Sequence, residues 1–169
     1  MDTIEAILTR RSVRKYLNKK ISNGIIKELI EAGISAPSAG NQQPWHFIIL
    51  DDHNIINKIL DFHPHAKMLP NAQKAILVCG DLDLETNKGF WIQDCSAATE
   101  NILIAARAKG LGSCWLGVYP REDRVNGFRE LLKIPKNVIP FSLISLGYTN
   151  VEQSKVNRYN NARIHLNKW

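Results

Sequence analysis

Apolar residues recur along this chain in two periods, and the switches between them lay out the elements. Asp2 followed by Glu5 has the spacing of a capping box, and Ile4, Ile7 and Leu8 repeat at helical period, so a first short helix is expected up to about Arg10. Ser22 can cap a second helix, whose Ile25, Ile26, Leu29 and Ile30 form one stripe and whose Gly33 stands where a left-handed C-terminal residue belongs. Ser35 to Pro44 holds too many breakers for helix or strand and reads as a loop. Trp45 to Leu50 then reads as a buried strand stopped by Asp51-Asp52, Ile55 to Phe62 as a short helix, and Ala75 to Gly80 as a second strand.

Phe90 to Lys109 carries the longest helical pattern. Around Ala97, Ala98 and Ile102 to Ala106 it is apolar nearly all round, and Gly110 and Gly112 terminate it. A helix with so little polar face has to be covered on most sides, which in a chain this small predicts packing between two subunits. Ser113 to Val118 reads as a strand or extended loop, Glu122 to Leu132 as an amphipathic helix and Phe141 to Gly147 as a strand, with a polar, irregular final stretch. The N-terminal helix pair and the short spacers do not fit simple βαβ winding, so the expected fold class is α+β, in one domain covering residues 1–169.

Composition narrows the classes of function. The 44% hydrophobic and 22% charged residues are those of an ordinary globular protein, and no run approaches the roughly 18 apolar residues of a membrane span. The opening Met1-Asp2-Thr3-Ile4-Glu5 places acids before any apolar run, the reverse of a secretory signal, so a cytoplasmic location is expected. Cys79, Cys95 and Cys114 are odd in number and widely spaced with no C-x-x-C, which favours buried free thiols over disulfides, zinc or iron–sulfur ligation. A net charge of +6 points to an anionic partner: nucleic acid, a membrane surface or a phosphorylated small molecule. The cations concentrate at Arg10-Arg11-Ser12-Val13-Arg14-Lys15 and in the tail at Lys155, Arg158, Arg163 and Lys168.

Three segments carry candidate chemistry. In Arg10, Arg11, Ser12 and Arg14, guanidinium forks and a hydroxyl supply the charge-assisted donors a phosphate monoester needs, although a basic helix end can also be a solvated surface that complements the dipole. Pro37-Ser38-Ala39-Gly40-Asn41-Gln42-Gln43-Pro44-Trp45 offers amides and small side chains that permit close approach of a flat ring, or is an ordinary turn-rich loop. Gly110-Leu111-Gly112-Ser113-Cys114-Trp115-Leu116-Gly117 follows a helix instead of leading into one, so a dinucleotide fingerprint fails on context, and Trp115 suits a core as well as a cofactor. The five histidines show no metal-ligand spacing, His63-Pro64-His65 reads as a polar loop, and there is no carboxylate pair or Ser-His-Asp set.

Taken in order, R-R-S-V-R-x-Y, P-S-A-G-N-x-Q-P-W-x-F, G-L-G-S-x-W-L-G and the tail R-I-H-x-N-K-W resemble the FMN-dependent nitroreductase family over almost the whole chain, as a small single-module member. The resemblance implies a central, mostly antiparallel sheet flanked by helices and a homodimer with a long buried interface helix. It implies FMN as tightly bound cofactor and NADH or NADPH as hydride donor, with ping-pong reduction of a small-molecule acceptor of nitroaromatic, quinone or flavin type through flavin N5. Neither nucleic acid, membrane nor metal belongs to that picture.

The same resemblance assigns residues. Arg10, Arg11 and Ser12 match positions toward the FMN phosphate and ribityl chain, and Arg14 the pyrimidine edge, where a cation supports charge on reduced flavin. Pro37, Ser38, Ala39, Asn41 and Gln43 match a loop reaching the flavin from the partner subunit, so that the site is shared. Leu116 and Gly117, next to Trp115, match the backbone that faces N5; Arg158 or Arg163 matches a tail cation on the phosphate; and Lys67 corresponds to a pyrimidine-side lysine in larger relatives, with Pro64 near the place of their asparagine. The pocket over the ring falls to segments near residues 61–71 and 85–92. A specialised reduced-flavin enzyme of dehalogenase or flavin-processing type, a flavin-binding sensor without turnover and a nucleic-acid binder remain alternatives. Colour on purification and bleaching by NAD(P)H separate them.

Overall fold

Local capping starts the fold where the sequence expects it. In the computed structural model, which describes residues 1–169, the Asp2 carboxylate accepts from the N–H groups of Ile4 and Glu5 at the head of α1 (Thr3–Thr9), and Ser22 Oγ accepts from Ile25 N at the head of α2 (Asn23–Ile34). The other helices are α3 (His53–Lys58), continued by a 3-10 turn at Ile59–Asp61, α4 (Trp91–Ala108) and α5 (Glu122–Leu132).

Four strands, β1 (Trp45–Leu50), β2 (Lys74–Asp81), β3 (Leu111–Gly117) and β4 (Val138–Tyr148), form one antiparallel sheet in the order β1-β2-β4-β3. Strand alternation sorts the core onto two faces. Ala75, Leu77 and Cys79 of β2 point to one side, with Ile56, Ile59 and Phe128, while Ile76 and Val78 point to the other, with Leu29, Ala98, Ile102 and Leu103. The α+β class and the mostly antiparallel sheet flanked by helices hold. All three cysteines are free and buried, and burial pushes the Cys79 thiol up to about 12.

Three expectations need correction. Gly33 is not a left-handed cap: α2 runs past it to Ile34, and the glycine is buried because a Cβ there would lie 3.0 Å from the Ile102 side chain of α4. Gly112 does not end α4; Gly110, at φ +76°, does so alone, and Gly112 already lies in β3, which starts at Leu111. β1 is not buried throughout, since it is an edge strand whose His46 and Ile49 are exposed. α5 and the ends of β1 fall where expected, and the other boundaries shift by one to four residues, with β2 and β4 longer than expected because ladder pairing with each other extends them.

Gly112 and Gly147 face each other across β3 and β4, and together they make a bare patch on the sheet. A Cβ at Gly112 would come within 2.7 Å of Val13, and one at Gly147 within 2.6 Å of the Tyr16 ring. The arginine-rich segment crosses the sheet on this patch. Gly112→Ala is therefore expected to cost about 1–3 kcal/mol in denaturant unfolding, as overpacked cores do, and to displace the Arg10–Arg14 segment.

Candidate functional site

The segment after α1 is pinned by backbone and by one tyrosine. Ser12 makes a parallel bridge to Ser113, Val13 N donates to Ser113 O at 2.8 Å, and Leu17 N donates to Tyr148 O at 2.8 Å. Tyr16 Oη donates to Val13 O at 2.7 Å and lies 2.7 Å from Ser145 Oγ, and burial raises its pKa, so the hydroxyl stays protonated. With Val13 buried, the alternation of an extended chain turns Ser12 and Arg14 outward.

Arg14 enters a cleft of about 640 Å³ with Lys67, Trp115, Leu116, Gly117 and Arg124. His63, Pro64, His65, Met68 and Asn71 line it as well, so the segment near residues 61–71 builds it as expected. No carboxylate lines this cleft, and none of Arg14, Lys67 and Arg124 enters an ion pair. Arg14 has one long hydrogen bond, 3.4 Å to Ser12 O. Unpaired cations gathered around one opening hold a field suited to an anionic group. Trp115 lines the cleft, and its ring sits edge-on to Phe141 with centroids 5.9 Å apart.

Gly117 adds a second feature. Its φ is ordinary and no atom of the chain lies within 4 Å of the place a Cβ would take, so neither conformation nor neighbours within the chain demand glycine. Open space above a glycine in a cleft admits a flat group against the backbone.

At the other end of the arginine segment lies a smaller cleft of about 380 Å³, lined by Arg10, Arg11, Lys155, Asn157, Arg158 and Tyr159 among others. Arg10 Nε pairs with Glu100 at 3.2 Å, while Arg11 donates to the carbonyls of Arg10 and Ser154. The structure brings Arg158, and not the exposed Arg163, beside Arg10 and Arg11. From Arg10 to Arg14 an extended chain spans at most about 14 Å, so both clefts lie within reach of one elongated ligand. The pair of clefts has the chemistry for a ring with a phosphorylated tail: one offers cations without carboxylates and open space at Gly117, the other three guanidinium groups.

The Ser38–Gln43 loop lines neither cleft, so Pro37, Ser38, Ala39, Asn41 and Gln43 stand apart from Arg14 and Gly117 within one chain. It is nevertheless held in a defined shape. Gly40, Asn41 and Gln43 all take positive φ, of 55°, 58° and 46°, which for the two side-chain-bearing residues is a strained conformation. Ser38 Oγ accepts from Gln43 N at 3.0 Å and Gln43 Nε2 donates to Asn41 Oδ1 at 2.9 Å.

Two residues that sequence reasoning passes over anchor this loop. The buried Asp94 carboxylate in α4 accepts from Ala39 N at 3.0 Å and from Gln42 Nε2 at 2.6 Å. Asn87 in turn donates from its backbone to Gln42 Oε1 at 2.8 Å and from its side chain to Ala39 O at 3.2 Å, so the segment near residues 85–92 braces the loop instead of lining the cleft. An acid in the first turn of a helix expected to be covered on most sides is the signal, since a buried carboxylate requires donors. Asp94→Ala leaves two half-buried donors unmet and is expected to cost about 1–3 kcal/mol in thermal or denaturant unfolding.

Known proteins share this layout. The Nitroreductase family matches residues 7–91 and 64–148. A protein of Archaeoglobus fulgidus with the provisional name NADH dehydrogenase/NAD(P)H nitroreductase is 49% identical over 99% of this chain and 99% of its own. A crystal structure from Parabacteroides distasonis, under the same provisional name, superposes with a TM-score of 0.94 at 41% identity, covering 99% of this chain and 98% of that one. An FMN-dependent nitroreductase of Clostridium difficile superposes at 0.90 with 28% identity, over 98% and 99% of the two chains. With a match across both clefts and the sheet between them, the chain belongs to the nitroreductase family.

Proposed function

We propose that this protein is an FMN-dependent NAD(P)H oxidoreductase that reduces nitroaromatic, quinone or flavin-type acceptors in ping-pong fashion, as a homodimer with shared sites. The observation that carries the reading is the carboxylate-free cleft where Arg14 and Lys67 meet the open face of Gly117. The chemistry supplied by bound FMN is two-electron exchange at N5, from NAD(P)H and then to the acceptor. Arg14 and Lys67 bind the pyrimidine edge and offset the negative charge it gains on reduction. The Leu116–Gly117 backbone meets the ring face, while Arg10, Arg11 and Arg158 hold the phosphate as a cluster of planar forks.

Exposed apolar surface supports the dimer. Ile4, Ile7 and Leu8 of α1 are 60%, 45% and 40% exposed, and Tyr159, Leu166 and Trp169 in the tail 76%, 89% and 102%. Ala97, Ile104 and Ala105 of α4 are only half-buried in one chain. A second copy would cover such surface, and its Ser38–Gln43 loop would complete the cleft. The test is direct: the purified protein should be yellow, and anaerobic NADH or NADPH should bleach it, with colour returning on addition of a competent acceptor. A folded sample that stays colourless after incubation with FMN would refute the reading.

A further inference from the structure

The carbonyl of Gly117, last residue of β3, accepts two hydrogen bonds from side chains of different elements: His63 Nε2 at 3.0 Å, from the turn that follows α3, and Arg124 Nη1 at 2.7 Å, from the first turn of α5. Because the acceptor is a carbonyl, Nε2 must carry the proton, which leaves Nδ1 of His63 as a bare acceptor with no partner in the chain. His63 is 1% exposed, and both its burial and the neighbouring Arg124 lower its pKa, so the ring is neutral and its tautomer is set.

Glycine is the residue least able to hold its own conformation, and Gly117 sits where ladder pairing with β4 ends, at Ser142. It has no side chain of its own, and the peptide it forms with Val118 is held on its N–H side by Phe141 O at 3.2 Å. The two donors hold the carbonyl side of that peptide, since turning the Gly117 carbonyl would break both bonds, one of them charge-assisted. Leaving a neutral imidazole buried with one unmet nitrogen is itself costly, and the Gly117 bond is the one hydrogen bond its side chain makes.

We propose that His63 and Arg124 are positioning residues that lock the Gly117 backbone in one orientation, and so govern how fast hydride reaches a flavin lying against it. This rests on the flavin occupying the cleft as set out under Proposed function. Neither side chain need touch the reacting atoms. His63 acts from within the protein, and Arg124 from the cleft rim through the same carbonyl.

The experiment measures flavin content and the anaerobic rate of flavin reduction by saturating NADH or NADPH in four proteins: wild type, His63→Phe, His63→Gln and Arg124→Met. Phenylalanine keeps the ring volume without a donor, glutamine restores an N–H, and methionine keeps the arginine stem. The expected result is full flavin content in the wild type and both His63 variants, reduction per bound flavin slowed about tenfold in His63→Phe and Arg124→Met, and recovery of most of the rate in His63→Gln. Should His63→Phe not fold, Arg124→Met alone decides. Wild-type rates per bound flavin in the donorless variants, slowing that glutamine does not relieve, or loss of flavin from His63→Phe in place of a slower rate would each overturn the proposal. A wild-type protein that binds no FMN would instead refute the reading of the cleft, a distinct result visible before any variant is made.

Discussion

Gly117→Val should give a folded but nearly colourless protein. A Cβ at this position points into open cleft and meets nothing in the chain, so the fold has no reason to object. Valine also suits a strand better than glycine, whose backbone freedom costs about 0.5–1 kcal/mol there, and the melting temperature should hold or rise slightly. Against the face of a bound ring the same carbons are an obstruction. Overpacking of about 1–3 kcal/mol converts to FMN binding weaker by about 10- to 100-fold, measured as flavin per folded chain or by titration of the apoprotein. Stability and flavin content moving in opposite directions is the signature of a glycine kept for a ligand. Loss of both together would mean that Gly117 serves the fold, and retention of flavin would place the ring elsewhere.

Much of this site can be read along the chain because its parts are local. Arg10, Arg11, Ser12 and Arg14 act from one extended stretch, so their juxtaposition needs only the alternation of side chains that Val13 enforces by being buried. The cap of α1 at Asp2 and the apolar stripe of α2 are equally local, and both elements appear where the pattern puts them. What is hidden is what depends on contacts far apart in sequence. Asp94 holds Ala39 and Gln42 across 55 and 52 positions, and His63 meets Gly117 across 54. His63-Pro64-His65 reads as a polar loop because nothing nearby shows that β3 and α5 close over its first residue.

The glycines illustrate the same division. Gly110 ends a helix by its own backbone angle, which a glycine after an apolar run announces. Gly33, Gly112 and Gly147 are small for the sake of Ile102, Val13 and Tyr16, partners from other elements, and no local rule distinguishes them from a helix stop. Reading Gly33 and Gly112 as terminators fails for this reason, whereas the motif containing Gly112 leads into the residues that line the larger cleft, Cys114 to Gly117.

Mixing two inactive variants should restore activity. The Ser38–Gln43 loop is held on α4 by Asp94, in a strained shape and apart from both clefts of its own chain, and in the proposed homodimer it would serve the cleft of the second subunit. Take one variant with the cleft blocked, Gly117→Val, and one with the loop spoiled, Asn41→Ala together with Ser38→Ala, which removes the side chains bonded to Gln43. Each homodimer carries two damaged sites. In the heterodimer one site combines both lesions, while the other joins an intact cleft to an intact loop. Random reassociation of equal amounts makes half the dimers mixed, so about a quarter of all sites should recover turnover and retain flavin. If the loop served its own chain, every site in the mixture would keep a lesion and no activity would return. Recovery near a quarter, absent when the two variants are kept from exchanging subunits, would locate the loop across the interface by function alone.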